Sequence, residues 1–350
     1  MSASKQQIIA AGFAFFRATR LHRLVAPLTA GQGAILMMHH VRPWSGKAFA
    51  PNRLLEIEPG FLDAALTRIK ALGFDFVTMD EALSRLGKPG AKRFVTLTFD
   101  DGYRDNVEHA LPILERHAAP FALFVTTGFA DRSARLWWVE LEESIRTLDV
   151  VSVDIDGMTL VMPSKTPAEK LAAFEAVYWR LRGGPEDRLL KVIADLLSQA
   201  EQSSPALVAP LCLDWAGIVA LARHPLCTIG VHTLTHPMLA KHPSDIVRRE
   251  LLESRTIIEA KIGKPARHLA YPVGDPNAAG RREFALAEEL GFASAVTTRP
   301  GMLFPGHRAH VHALPRLSLN GNWQSLDSLE VLLSGVPFAL WNRGRRLNVA

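Results

Sequence analysis

Two short segments of this chain carry side chains in patterns that point to chemistry rather than to packing. The first, Thr98-Phe99-Asp100-Asp101-Gly102, closes a run of β-formers. Adjacent carboxylates at a strand's end repel each other unless a cation lies between them. In a regular strand they would point to opposite faces, but a turn at Gly102 lets both converge on one pocket. With a divalent ion present, one can be a ligand while its neighbour holds or deprotonates a water. A strand-end turn with Asp as a helix cap is the plainer alternative. The second segment, Gly230-Val231-His232-Thr233-Leu234-Thr235-His236-Pro237, also closes an apolar run. Imidazoles at i and i+4 can meet one ion from a single turn of chain. Two imidazoles and one carboxylate, with positions left open for water, suit Zn or a similar divalent metal.

Whether the two segments meet depends on the runs that precede them. Strands are expected at Ala34–Met38, Phe76–Thr78, Phe94–Phe99, Pro120–Thr126, Thr228–Val231, His268–Tyr271, Ala293–Thr297 and Leu314–Leu319. Helical patterns fall between them, among them Phe61–Leu72 and Ser244–Ile262, the latter opening on a Ser and stopping before Gly263. Such alternation predicts a parallel sheet, and about eight units point to a barrel. An open doubly wound sheet competes on alternation alone. Either architecture places its sites at the carboxyl ends of strands, where both segments fall. The stretch from Thr126 to Thr228 breaks the rhythm. Trp137 and Trp138 open a helix, a hairpin centres on Asp156–Gly157, and helices follow at Ala168–Arg182 and Glu186–Gln199 before a loop at Ser203-Ser204-Pro205. It reads as an insertion that caps the mouth of the site.

Composition narrows the class. With 350 residues, 48% of them hydrophobic, the chain can bury a large core, and 21% charged residues do not describe a disordered chain. The net charge of +5 is spread over small clusters such as Arg248–Arg249, Arg281–Arg282 and Arg343–Arg346, not over one face, so no nucleic-acid partner is expected. Two cysteines, Cys212 and Cys227, can build neither a disulfide framework nor a four-thiolate zinc site. The run Ile8–Phe16 follows Lys5 like a signal peptide, but Arg17, Arg20 and Arg23 come at once and no small-x-small site closes it. It is also too short to span a bilayer. An amphipathic helix packed on the domain is expected, with shallow docking on a membrane surface as the alternative. The chain accordingly reads as soluble and cytoplasmic, or peripheral to a membrane. No feature fixes an oligomeric state.

The two segments and their surroundings resemble the polysaccharide deacetylase family, also called the NodB-homology domain or carbohydrate esterase family 4. Ile35–Val41 (ILMMHHV) is similar to the family's opening strand, with His39 in the histidine position of its Tyr-His-Arg-Val pattern. Phe61–Met79 resembles the next helix and strand. VTLTFDDGYRDN resembles the first metal motif, GVHTLTHP the second and LAYPVGDP the third, and Thr297–Gly301 followed by Leu314-Pro315-Arg316 resembles the close of the domain. The likeness runs from Ala34 to Leu319.

This resemblance implies a distorted (β/α)7-type barrel with a mostly helical insertion after one strand, so that one expected strand is peripheral. Residues 1–33 then form an N-terminal helical extension, residues 34–319 the barrel with its insertion near 131–212, and residues 320–350 a C-terminal helical tail. It implies a hydrolase that removes N-acetyl groups from an amino-sugar glycan or glycolipid. Asp101, His232 and His236 would hold a divalent ion, Zn with Co or Ni as alternatives, and Asp100 would be the general base. The N–H of Val273 would serve the oxyanion, in a wall shaped by Tyr271-Pro272-Val273-Gly274. Two departures stand out. Ala270 occupies the place of an arginine that steers the base in many relatives, and Arg316 is expected to supply that charge. No Leu-x-His motif provides the proton donor. His312, with His310 beside it, is the candidate acid, and His39 is expected either to line the pocket or to be a satisfied buried histidine. Trp137, Trp138 and Trp179 are expected to pack in the insertion, with stacking on sugar rings as the alternative. Hydrolysis of another non-peptide C–N bond, and sugar binding without turnover, remain as alternative functions.

Overall fold

The computed structural model of the protein describes residues 3–349; Met1, Ser2 and Ala350, at the edges of the expected extension and tail, lie outside it. Eight parallel strands follow in chain order: β1 (Gly33–Met38), β2 (Asp75–Phe76), β3 (Phe94–Phe99), β4 (Phe121–Val125), β5 (Cys227–Val231), β6 (His268–Ala270), β7 (Ser294–Pro300) and β8 (Leu314–Ser318). Seven close a ring in the order β1-β8-β7-β6-β5-β4-β3, sealed by β1 on β3 from Gly33↔Phe94 to Met38↔Phe99. That closure gives the distorted (β/α)7 barrel and removes the open-sheet alternative. β2 is the peripheral strand: it pairs only Asp75↔Phe94 and Phe76↔Val95 and takes no place in the ring.

The barrel explains why its strands read as continuous apolar runs. Each strand is covered on both faces, by the interior on one side and by helices on the other. Ile35, Phe94, Ala122, Phe124, Ala270, Val296 and Leu314 point inward, while Leu36, Val95, Leu97, Phe99, Leu123 and Leu269 face the helices. Gly230 holds an inward position on β5 because a Cβ there would lie 2.5 Å from the Phe124 ring. Outside, helix Pro59–Ala71 buries Leu62, Ala65, Leu66 and Ile69, the spacing of a single apolar stripe. Helix Ser244–Ile262 buries Val247, Leu251 and Ile258 and ends at Gly263 in the left-handed region (φ 68°), a residue type that stops helices at little steric cost.

Between β4 and β5 the chain forms helix Trp137–Thr147, the hairpin Val150–Ile155 with Met158–Pro163, and helices Pro167–Gly183, Glu186–Gln199 and Ser204–Leu211. The hairpin turns through Asp156 (φ 59°) and Gly157 (φ 75°), the two positive φ angles that a two-residue turn between twisted strands requires. Leu141, Ile145, Phe174, Val177, Leu189 and Ile193 give this segment a core of its own. At the termini, helices Ala3–Thr19 and Leu21–Thr29 precede β1, and helices Leu326–Leu333 and Val336–Trp341 follow β8. Among the described residues no helix is long and apolar enough to cross a membrane.

Candidate active site

The inward register of β3 runs through Phe94, Thr96 and Thr98 to Asp100, so this aspartate faces the barrel axis. Arg316, inward on β8 two residues past Leu314, meets it with both ends of its fork: Nη1 donates to Oδ1 at 2.8 Å and Nη2 to Oδ2 at 2.7 Å. The arginine's Nε donates to the Thr297 carbonyl at 2.9 Å, and Nη1 also reaches Thr98 Oγ1 at 3.1 Å. Arg316 is 1% exposed and Asp100 2%, so this pair is shielded from solvent and salt. Burial pushes the Asp100 carboxyl up, but Arg316 and then His232 outweigh it and hold it below the usual carboxylate range.

Asp101 belongs to the outward register, yet its backbone is left-handed (φ 72°) and turns it back to the mouth. Such a conformation is uncommon for a non-glycine residue and concentrates at functional sites. Thr233 (φ 67°), His236 (φ 63°) and Val273 (φ 61°) share it. Asp101 Oδ1 lies 3.4 Å from His232 Nε2 and 3.3 Å from His236 Nε2. One ligand atom from each of the three residues falls within 4.8 Å of the others. His232 Nδ1 is 2.7 Å from the Ala270 carbonyl; a carbonyl only accepts, so Nδ1 carries a proton and Nε2 is the ring atom turned to Asp101. Burial pushes the Asp101 carboxyl up, and the two imidazoles more than reverse this, leaving it well below the ordinary range. His236 is wedged between Phe129 and Trp138, at 5.8 and 4.8 Å between ring centroids.

Asp101 Oδ1 is buried without a hydrogen bond. A buried acceptor of that kind calls for a partner, and a carboxylate oxygen converging with two imidazole nitrogens fits a divalent cation. Titration with Zn or Co is therefore expected to raise the melting temperature, by the equivalent of about 2.7 kcal/mol at a free ion concentration of a hundred times Kd. His236→Ala should abolish that shift. A melting curve indifferent to every divalent ion would remove the site.

Other expected residues divide sharply. His39 follows β1 directly, and its Nε2 lies 4.0 Å from Asp100 Oδ2. Its backbone is fixed by Asn106 Nδ2, which donates to the His39 carbonyl at 2.7 Å. Burial lowers its pKa, against the opposing pull of Asp101 and Asp100. The Val273 N–H follows β6 and is taken by no hydrogen bond among the described residues, while the Val273 carbonyl accepts from Thr298 Oγ1. The Tyr271 side chain, in contrast, does not line the pocket. It continues the outward register of Leu269, packs on Phe284 and donates its hydroxyl to the His312 carbonyl at 2.9 Å. His312 is not at the site either. It precedes β8, with Nε2 2.7 Å from the carbonyl of Phe292, which precedes β7. Both lie at the strand entrances, the opposite end of the barrel from Asp100, and exposed His310 lies beside them. Trp137 and Trp138 are buried at 5% and 6% exposure, whereas Trp179 is 51% exposed.

Several supporting residues escape a reading of the sequence. Asp105 accepts from Val41 N–H at 3.1 Å and lies 2.6 Å from His40 Nδ1, fixing the exit of β1. Tyr103 stacks on the His40 ring at 3.6 Å. Glu250 accepts from the Leu234 and Thr235 N–H groups at 2.9 and 3.0 Å and from Thr235 Oγ1 at 2.8 Å, bracing the loop between the two histidines. Its signal was available: a carboxylate on the buried stripe of helix Ser244–Ile262.

The family model described as polysaccharide deacetylase matches residues 87–294. No curated protein sequence matches the chain. Among solved structures, the Streptococcus pyogenes deacetylase PplD in complex with acetate superposes with a TM-score of 0.55 at 18% identity, over 83% of this chain and 92% of that one. IcaB from Ammonifex degensii gives 0.54 at 18% identity, over 87% and 97%. A de-N-acetylase from Aggregatibacter actinomycetemcomitans gives 0.53 at 14% identity, over 86% and 99%. At such identities these three likenesses speak to the fold alone. The family match covers more than half of the chain, and on that ground the chain belongs to the polysaccharide deacetylase family.

Proposed function

We propose that this protein hydrolyses the N-acetyl group of an amino-sugar glycan or glycolipid, using a divalent cation held by Asp101, His232 and His236. One observation carries the reading: two adjacent aspartates diverge, Asp100 into the fork of Arg316 and Asp101 toward two imidazoles. One is thereby kept as a free base beside a cation site built by the other. The cation, when bound, supplies Lewis acidity, which makes the amide carbonyl more electrophilic and a neighbouring water more acidic.

The chain's own residues account for the rest. Asp100, anionic and positioned by Arg316, accepts the proton of the water that attacks the carbonyl carbon. The Val273 N–H donates to the carbonyl oxygen as it gains negative charge. Cleavage of the C–N bond needs a proton on the departing nitrogen. His39 is the group for it: its Nε2 lies 4.0 Å from Asp100 Oδ2, so the proton that Asp100 takes from the water can pass to His39 and from there to the departing nitrogen. The products are acetate and a free amine.

The direct test is acetate release from N-acetylglucosamine oligomers and other acetylated glycans by protein stripped of metal and reloaded with Zn or Co. Metal binding without acetate from any glycan would favour another C–N bond as the target. For the acid, His39→Gln is expected to lower turnover of an N-acetyl sugar by about a hundredfold. The loss should be much smaller for an aryl acetate, whose leaving group departs without a proton. An equal loss on both substrates would assign His39 a structural role instead.

A further inference from the structure

The terminal helices carry a surface that the hydrolytic site does not use. Helix Leu21–Thr29 turns His22 inward and leaves Leu21, Leu24 and Leu28 exposed at 40%, 78% and 67%. Spaced at i, i+3 and i+7, they share one face. Helix Val336–Trp341 packs beside it and leaves Leu340 and Trp341 at 65% and 51%. Leu28, Ala339, Arg345 and Arg346 line one depression of about 230 Å³, which the segment around Met302 and Phe304 also walls. Arg345 also lines a second, of about 270 Å³, with Trp341, Arg343 and Leu347. Arg345 thus links Leu28 on one helix to Trp341 on the other.

The rim of this patch is basic. Arg17, Arg20, Arg343, Arg345 and Arg346 are all exposed. Among the described residues none of them joins an ion pair, whereas neighbouring Arg23 is engaged by Glu330 at 2.7 Å. Contiguous exposed leucines mark an interaction surface. Flat helices with an apolar stripe and arginines at its edge have the chemistry of a bilayer interface.

We propose that this patch docks the protein on an anionic lipid surface, with the leucines and Trp341 at the acyl boundary and the arginines among headgroup phosphates. A second copy of the chain is a poorer occupant, because a two-fold contact would bring the same arginines face to face. Helix Leu21–Thr29 leads into the amino-terminal end of β1. Docking there leaves the opposite, carboxyl-terminal mouth open to a glycan in the aqueous phase.

Flotation of the full chain with phosphatidylcholine vesicles, with and without phosphatidylglycerol, tests this. Binding is expected only with the anionic lipid, and should weaken as salt rises. Replacing Arg343, Arg345 and Arg346 together by serine should weaken it about a hundredfold, at about fivefold per arginine. Leu24→Ser with Leu28→Ser should weaken it by more than about tenfold. Both variants lie on the exposed surface, and unchanged melting temperatures will show that they fold. Absence of binding to anionic vesicles, binding undiminished in both variants, or a dimer in solution that the variants dissolve in place of vesicle binding would each overturn the proposal.

Discussion

Asp100→Asn is expected to lower kcat/KM for acetate release by about a hundred- to ten-thousandfold, the range for losing a positioned general base. Asparagine matches the carboxylate in shape, but its amide nitrogen cannot accept a proton. The residues that would hold the cation are untouched, so the thermal shift produced by Zn or Co should survive. That separates the two aspartates: Asp101→Asn should lose the ion-dependent shift, and Asp100→Asn should keep it. Turnover within a few-fold of the parent would remove Asp100 as the base. Loss of the metal-dependent shift would instead make Asp100 a ligand and collapse the proposed division of roles.

The sequence makes this division legible only in part, and the physical reasons differ from residue to residue. Asp100–Asp101 and His232–His236 are each local patterns at the ends of apolar runs, so spacing alone exposes them. Their convergence follows from strand polarity, because a parallel barrel gathers carboxyl ends at one mouth. The same rule, applied strictly, separates the two candidate acids. His39 follows β1 as Asp100 follows β3 and Val273 follows β6, whereas His312 comes before β8 and must lie at the other end. His312 is close in sequence to Leu314-Pro315-Arg316 but stands on the entrance side of that strand. Tyr271 illustrates a second limit. Period-two alternation puts it outward, and only the backbone of the next residues reaches the pocket. The short β2 is a third: its apolar run marks a strand, but length and pairing decide whether it enters the ring.

Long-range polar contacts are the least legible. Asp105 and Asn106 close the motif VTLTFDDGYRDN and Glu250 sits on a helix's buried stripe, but neither pattern says that they fix the exit of β1, the His39 backbone and the histidine loop. Each is a polar residue on an otherwise buried face, and the partner that justifies it is known only from the fold. Arg316 and Asp100 are separated by 216 positions and meet because the barrel closes β1 between β3 and β8. Closure thus lets an arginine on β8, two strands from Ala270 on β6, reach the carboxylate at the end of β3. The small Ala270 side chain leaves the interior free for it.

That substitution of position makes Arg316 the most exacting test of the barrel's electrostatics. Arg316→Met removes the guanidinium that pairs with the buried Asp100 carboxylate and is expected to destabilise the fold by about 3–5 kcal/mol at neutral pH. In the parent, Asp100 has a folded pKa below its unfolded value, so its ionisation contributes stability above the unfolded pKa that is lost as pH falls through the folded one. Without Arg316, burial, the largest influence on this carboxyl, pushes it up against His232 and His39 alone. The sign then reverses: the variant is penalised at neutral pH and recovers relative to the parent on acidification. Melting temperatures of parent and variant should therefore converge below about pH 4, the region of an unperturbed aspartate. The acid limb of kcat/KM should move to higher pH, because the base must be ionised to work. Arg316→Lys keeps the charge but not the fork, and should fall between the two. The double variant Asp100→Asn with Arg316→Met should be more stable than Arg316→Met alone, since it leaves no buried charge unpaired. Equal melting temperatures at every pH, with an unmoved acid limb, would mean that Arg316 does not set the ionisation of Asp100.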